Sequence, residues 1–195
     1  PRLMPSWYER AAECRRIAEG ALQDDSDARA IEVITQLGDL AADDDASVRE
    51  VALRSLARVA PRARQQALEV LMVAVDDPKE SVRAEAFRAL AVAAERGCEL
   101  AVPLARHEAR TEASGSAVRV EALRVLQQVA EVGDWSTLGQ LALHAQEQDV
   151  ALRCAAVQAL AALAPPGDAR TVAFLAGAEA AFLPQCPDEE AAAAL

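Results

Sequence analysis

One nine-residue pattern constrains this chain more than any other, because it returns four times without a gap. It reads Val48-Arg49-Glu50-Val51-Ala52-Leu53-Arg54-Ser55-Leu56, then Val82-Arg83-Ala84-Glu85-Ala86-Phe87-Arg88-Ala89-Leu90. It recurs as Val118-Arg119-Val120-Glu121-Ala122-Leu123-Arg124-Val125-Leu126 and as Leu152-Arg153-Cys154-Ala155-Ala156-Val157-Gln158-Ala159-Leu160. The common form is apolar-Arg-x-x-Ala-apolar-x-x-Leu, and successive copies start 34, 36 and 34 residues apart. A period of this size marks stacked supersecondary units, each too small to bury its apolar face alone.

Counting from the first residue as zero, the apolar places in each block are 0, 4, 5 and 8. That is one face of a 3.6-residue helix. A second apolar helix is expected between blocks, at about 62–76, 101–112 and 134–147, with a further one near 168–183. Two more are expected upstream, at 6–21 and 27–42, which makes about ten in all. Composition agrees: 52% of residues are apolar but only 3% aromatic, so the core must be built from Ala, Leu and Val. Ala and Leu favour helix, and a strand-based core would want more Ile, Thr, Tyr and Phe. The fold class expected is all-α.

The punctuation fits helix pairs. Acidic turns, Asp43-Asp44-Asp45 and Asp76-Asp77, precede the first two blocks, and Gln148-Asp149 precedes the fourth. Ser47 and Ser81 are placed as N-caps, with Glu50 completing a Ser-x-x-Glu capping box. The third turn, Glu112-Ala113-Ser114-Gly115-Ser116, uses Ser and Gly instead of Asp. Pro61, Gly97, Gly133 and Pro165-Pro166-Gly167 break the chain elsewhere. The expected division is a capping helix in 1–26, a repeat array in 27–183 and a tail in 184–195.

An acidic turn followed by Val-Arg, then Ala-Leu and a later Leu, resembles the HEAT repeat, including its phycobilin-lyase-like variant. The resemblance covers about residues 27–183. It implies a right-handed α-solenoid of about five antiparallel helix pairs, a HEAT/armadillo-like superhelix whose second helices line the concave side. Tetratricopeptide repeats share the period of 34, but their Trp, Gly-Tyr and Pro signature is absent here.

Two rows of arginine stand out. Arg49, Arg83, Arg119 and Arg153 sit beside the buried stripe, where each could form a structural ladder with turn acids such as Asp45, Asp77 and Asp149. Arg54, Arg88 and Arg124 recur at place 6, about 240° round from the first residue, and Gln158 continues their row. On the concave face that the resemblance implies, they form a partner-binding strip with Glu50, Arg58, Gln127 and Gln128. Such a strip suits carboxylates or a phosphopeptide. The competing reading is local pairing, since Glu50, Glu85 and Glu121 lie three or four residues before the three arginines.

Other chemistry is sparse. The formal net charge of −11 and pI near 4.7 oppose the basic stripe of a nucleic-acid binder and favour basic partners. No run of 18 apolar residues spans a bilayer, and no signal peptide is visible, so no membrane role is expected. Cys14, Cys98, Cys154 and Cys186 are widely separated and lack a CxxC pair; they read as reduced thiols of an intracellular, cytoplasmic protein. The acidic runs lack the Gly and the twelfth-place Glu of a calcium loop. His107 and His144 have no zinc spacing, and no phosphate-binding loop or nucleophile elbow occurs. Cys14, beside Arg15 and Arg16, reads as a helix-surface cysteine, with a lowered-pKa thiol as the alternative. Trp7-Tyr8 and Trp135 read as cap and inter-helix packing. The first residue is Pro, as in a processed chain or a piece of a longer one.

The expected function is therefore non-enzymatic and free of cofactors and metals: a scaffold that binds a partner protein or peptide, as part of a larger chain or complex. A phycobilin-lyase-like subunit, which the resemblance implies, and a HEAT-like DNA-lesion binder are the alternatives. The sequence leaves oligomeric state open.

Overall fold

In a computed structural model, which describes residues 6–24, 26–169 and 171–172, all regular structure among the described residues is helical. The chain divides into two compact units, 1–94 and 95–195. The first holds α1 (Trp7–Leu22), α2 (Asp27–Leu40), α3 (Ala46–Val59), a 3-10 turn at Ala60–Arg62, α4 (Arg64–Ala74) and α5 (Glu80–Ala93). The second holds α6 (Ala101–Arg110), α7 (Ser116–Val129), α8 (Trp135–His144) and α9 (Val150–Leu163). The tenth helix expected near 168–183 falls mostly outside the described residues.

Each block begins at the third residue of its helix, α3, α5, α7 or α9, so the four copies have one frame. In the first unit α1 packs on α3 and α3 on α5, while α2 backs α3 and α4 backs α5. In the second, α7 packs on α9, with α6 behind α7 and α8 behind α9. The block stripe supplies the core. Val48, Ala52, Leu53, Leu56, Val82, Ala86, Phe87 and Leu90 are fully buried in the first unit, as are Val118, Ala122, Leu123 and Leu126 in the second. In the fourth block Leu152, Ala156 and Leu160 are buried and Val157 half-buried. Burying each large aliphatic side chain contributes about 1.5–3 kcal/mol, and Ala at place 4 lets neighbouring helices close up.

The helix starts differ from expectation in one respect. Ser47 and Ser81 lie inside their helices; the N-cap positions are Asp45 and Lys79. The Asp45 carboxylate accepts the Ser47 N–H at 2.8 Å, and no Ser47–Glu50 box forms. A carboxylate wins this position because its hydrogen bond is charge-assisted and its charge suits the helix N-terminus. Asp134 and Asp149 cap α8 and α9 in the same way. A box-like contact does occur at α1, where the Glu9 carboxylate accepts the Ser6 N–H at 2.7 Å and hydroxyl at 2.9 Å.

Several helix C-termini take arginine from elsewhere in the same unit. Arg62 donates to Ala21 O at the end of α1, Arg64 to Ala93 O at the end of α5, and Arg96 to Ala130 O at the end of α7. These cations meet carbonyls of the last helical turn and the negative end of the helix dipole. The left-handed residues Gly97 (φ 80°) and Gly133 (φ 83°) add a second tie, their N–H groups donating to Val129 O at 2.6 Å and Leu163 O at 2.8 Å.

Candidate functional site

The stacking of block helices puts the two arginine rows in different surroundings. In the ladder, Arg49 binds Asp77 through two hydrogen bonds, Nε–Oδ2 at 2.7 Å and Nη2–Oδ1 at 3.0 Å, and donates to Asp43 O and Asp44 O of its own turn. Arg119 donates to Ala109 O at 2.8 Å and to Glu147 Oε1 at 2.5 Å. Arg83 donates to the carbonyls of Asp77 and Pro78, and Arg153 to those of Glu147 and Gln148. Each guanidinium thus closes the turn before its helix, and Arg49 and Arg119 also reach a carboxylate of the following turn.

The carboxylates involved are not all those expected. Asp77 is, but Asp45 and Asp149 serve as caps; the acids that hold arginine lie two residues before the N-cap, at Asp43, Asp77 and Glu147. Asp45 folds back on the Ser47 N–H of its own helix. A cap can also reach sideways: Asp134 caps α8 and takes Arg106 Nη2 at 2.7 Å. Asp149 accepts the N–H groups of Ala151 and Leu152, and its second oxygen takes the Ser116 hydroxyl at 2.6 Å. The ladder has one rung that the sequence reading missed. Arg10 of α1 binds Asp43 through Nε–Oδ2 at 2.7 Å and Nη2–Oδ1 at 2.9 Å. Its signal was an Arg four residues after an N-cap Ser, the same offset as Arg49 from Asp45.

These contacts shift the acids. The Arg10 guanidinium holds the Asp43 carboxyl below the usual carboxylate range. At Asp77 burial pushes upward, but hydrogen bonds from Arg49 and the Lys79 N–H outweigh it and the net shift is downward. Glu147 behaves alike, with burial opposed by His144 and Arg119. His144 is buried, its Nδ1 2.6 Å from Glu147 Oε1 and its Nε2 without a hydrogen-bond partner. His107 is exposed.

The second row has a different build. Arg54 of α3 donates Nε to Glu85 Oε1 at 3.0 Å and Nη2 to Glu85 Oε2 at 3.1 Å. Arg88 of α5 donates Nη1 to the same Oε2 at 2.5 Å. In the second unit Arg124 donates to Glu121 Oε1 at 2.9 Å. The Glu85 and Glu121 side chains are 6% and 7% exposed, against 58%, 51% and 54% for Arg54, Arg88 and Arg124. Acid lies at the base and guanidinium at the surface. Glu50 does not take Arg54; the carboxylate of the next block helix does. Glu50, Gln127 and Gln158 are half-buried, and Arg58 and Gln128 are exposed. The three guanidiniums are about half exposed on side chains held by buried carboxylates, which suits them to a partner's carboxylates or carbonyl oxygens.

Cys14 departs from its expected surface position. It is fully buried, its thiol donates to Arg10 O at 3.3 Å, and burial pushes its pKa up, away from a reactive thiolate. Cys98 and Cys154 are half-buried, and Cys186 lies outside the described residues, as does the expected tail, 184–195. Trp7 and Tyr8 form an edge-to-face pair with centroids 6.3 Å apart, yet both are mostly exposed, as is Trp135. Among the described residues no group of three His, Cys, Asp or Glu could hold a metal ion, and no helix is long and apolar enough to cross a membrane.

No family model matches the chain, and no curated protein matches it either. Solved structures do. An engineered protein of the Northeast Structural Genomics Consortium aligns over 97% of this chain and 88% of its own, with a TM-score of 0.59 at 19% identity. A designed armadillo repeat protein in complex with the peptide (KR)4 aligns over 94% of this chain and 87% of its own, with a TM-score of 0.58 at 18% identity. The fold is an armadillo/HEAT-like helical repeat, the architecture that the four blocks imply.

Proposed function

We propose that the protein is a scaffold that docks a partner protein or peptide on the exposed side of its block helices. The residues assigned to that face are Glu50, Arg54, Arg58 and Arg88 in the first unit and Arg124, Gln127, Gln128 and Gln158 in the second. The observation that carries the proposal is the Arg54–Glu85–Arg88 cluster, in which one buried carboxylate fixes two half-exposed guanidiniums. Ordering those long side chains before a partner arrives removes part of the entropy cost of binding. The likeness to a designed armadillo protein that holds a peptide supports peptide docking by this fold in general. Burial pushes the Cys14 thiol away from the thiolate that pigment attachment at that residue would need.

The test is affinity capture from the source cell with wild-type protein and with R54A/E85V/R88A/E121A/R124A. Removing the acids together with the arginines leaves no buried carboxylate unpaired, so the fold is kept. Loss of the captured partner with an unchanged circular dichroism spectrum supports the assignment. Full retention of the partner dismisses it.

A further inference from the structure

A separate surface lies in the first unit, where the last turns of α2 and α4 and the turns after them enclose a groove of about 950 Å³. Its floor is apolar, with Ile34 and Ala74 buried and Val70 half-buried, and Val73 stands 77% exposed at its edge. α2 and α4 approach closely here: a Cβ at Gly38 would lie 3.0 Å from Val70 Cγ2 and would need that side chain to shift. Among the lining residues, four exposed carboxylates, Asp39, Asp44, Glu69 and Asp76, make no side-chain hydrogen bond or ion pair. The one lining cation, Arg49, is already taken by Asp77 and the carbonyls of Asp43 and Asp44.

The helix ends add to this field. A helix C-terminus carries about half a negative charge, which proteins usually offset with Lys, Arg or His in the last turn. α3 has Arg58 there, and α1, α5 and α7 receive Arg62, Arg64 and Arg96. α2 and α4 have no basic residue in their last turns, and α2 places Asp39 in its own. That arrangement works against helix stability, and it concentrates negative potential over an apolar floor.

We infer that this groove docks a basic segment of a partner protein, with an apolar side chain against Val70 and Val73 and flanking Lys or Arg on the four free carboxylates. This surface is distinct from the Arg54–Glu85–Arg88 face.

The probe is a fluorescein-labelled Lys-Arg-Leu-Arg-Lys peptide, titrated with full-length protein by anisotropy at about 50 mM salt, where exposed charges are weakly screened. Saturable binding is expected, weakened about tenfold or more in D39N/D44N/E69Q/D76N. An E19Q/E99Q/E112Q/E131Q variant changes net charge equally at other exposed places and should bind within about twofold of wild type. R54A/E85V/R88A should also leave the affinity unchanged, which separates this groove from the face proposed above. Replacing the central Leu by Gly should weaken the peptide several-fold. Equal weakening in the two four-site variants, or no saturable binding to wild type, overturns the inference; a Gly peptide that binds as well as the Leu peptide removes the apolar floor from it. Because neutralising Asp39 relieves repulsion at the α2 terminus, the groove variant should melt no lower than wild type, and lost binding cannot then be put down to unfolding.

Discussion

The cluster around Glu85 allows a sharp energetic test, because its carboxylate is buried while the two cations that satisfy it are half in water. The R54A/R88A double substitution removes all three N–H donors and leaves the carboxylate buried with none. Breaking a buried ion pair by deleting one side costs about 3–5 kcal/mol, and hydrogen bonds to charged groups are worth about 1.5–3 kcal/mol each. The guanidiniums are more than half exposed, so water already screens part of their attraction, and the lower end applies: about 3 kcal/mol. The opposite substitution, E85V, should change stability by less than about 1 kcal/mol, since exchanging a buried charge for an apolar side chain is often neutral once its partners can hydrate. The chain performs this exchange itself: the equivalent place in the first block is Val51 and in the fourth Ala155. Urea unfolding followed by far-UV circular dichroism reads both. With a slope near ~2 kcal/mol per molar, R54A/R88A lowers the midpoint by about 1.5 M while E85V leaves it almost in place. Adding E85V to the double variant should recover most of the loss, a coupling that only neighbours show. If R54A/R88A unfolds with wild type, or E85V is as damaging, the carboxylate is not held as described.

Particular groups carry three further predictions. Asp43, Asp77, Asp134, Glu147 and Asp149 all have lowered folded-state pKa values, so the native state binds fewer protons than the unfolded chain. Their stabilisation is fully present above the unfolded carboxylate pKa of about 4 and is lost as the pH falls through the folded values. The urea midpoint should therefore drop steeply below pH about 4, and D43N should flatten part of that drop. Gly97→Ala should lower the thermal midpoint, because the residue has φ 80° and the new Cβ would meet Glu131 Oε1 at 2.9 Å, at a cost of about 1–3 kcal/mol. Gly20→Ala, in helix α1 with open space around it, should raise stability by up to about 1 kcal/mol. A fall at both positions would refute the conformational argument.

The fold was legible because the information that sets it is local and repeated. Places 0, 4, 5 and 8 of each block form a stripe that must be covered, and with four copies at near-equal spacing the same face must be covered in the same way each time. Helix ends were read less well. Ser47 and Asp45 are both good N-caps in isolation, and the carboxylate wins because its hydrogen bond is charge-assisted and its charge suits the helix N-terminus. The acids three residues before Arg88 and Arg124 were read correctly as neighbours, whereas the reach of Arg54 to Glu85, 31 residues on, needed the stacking of α3 on α5.

The same reasoning explains why α1 was taken for a cap that departs from the pattern. Its apolar letters do not match the block, and its buried residues, Ala11, Cys14, Ala18 and Ala21, follow a different spacing. Yet α1 packs on α3 as α3 packs on α5, and Arg10 holds Asp43 as Arg49 holds Asp77. α1 thus keeps the rung to the next turn while its core letters differ from those of the blocks. Electrostatic register can therefore be kept where hydrophobic register is not. A search for Arg four residues after an N-cap would find helices of this kind that the apolar template passes over.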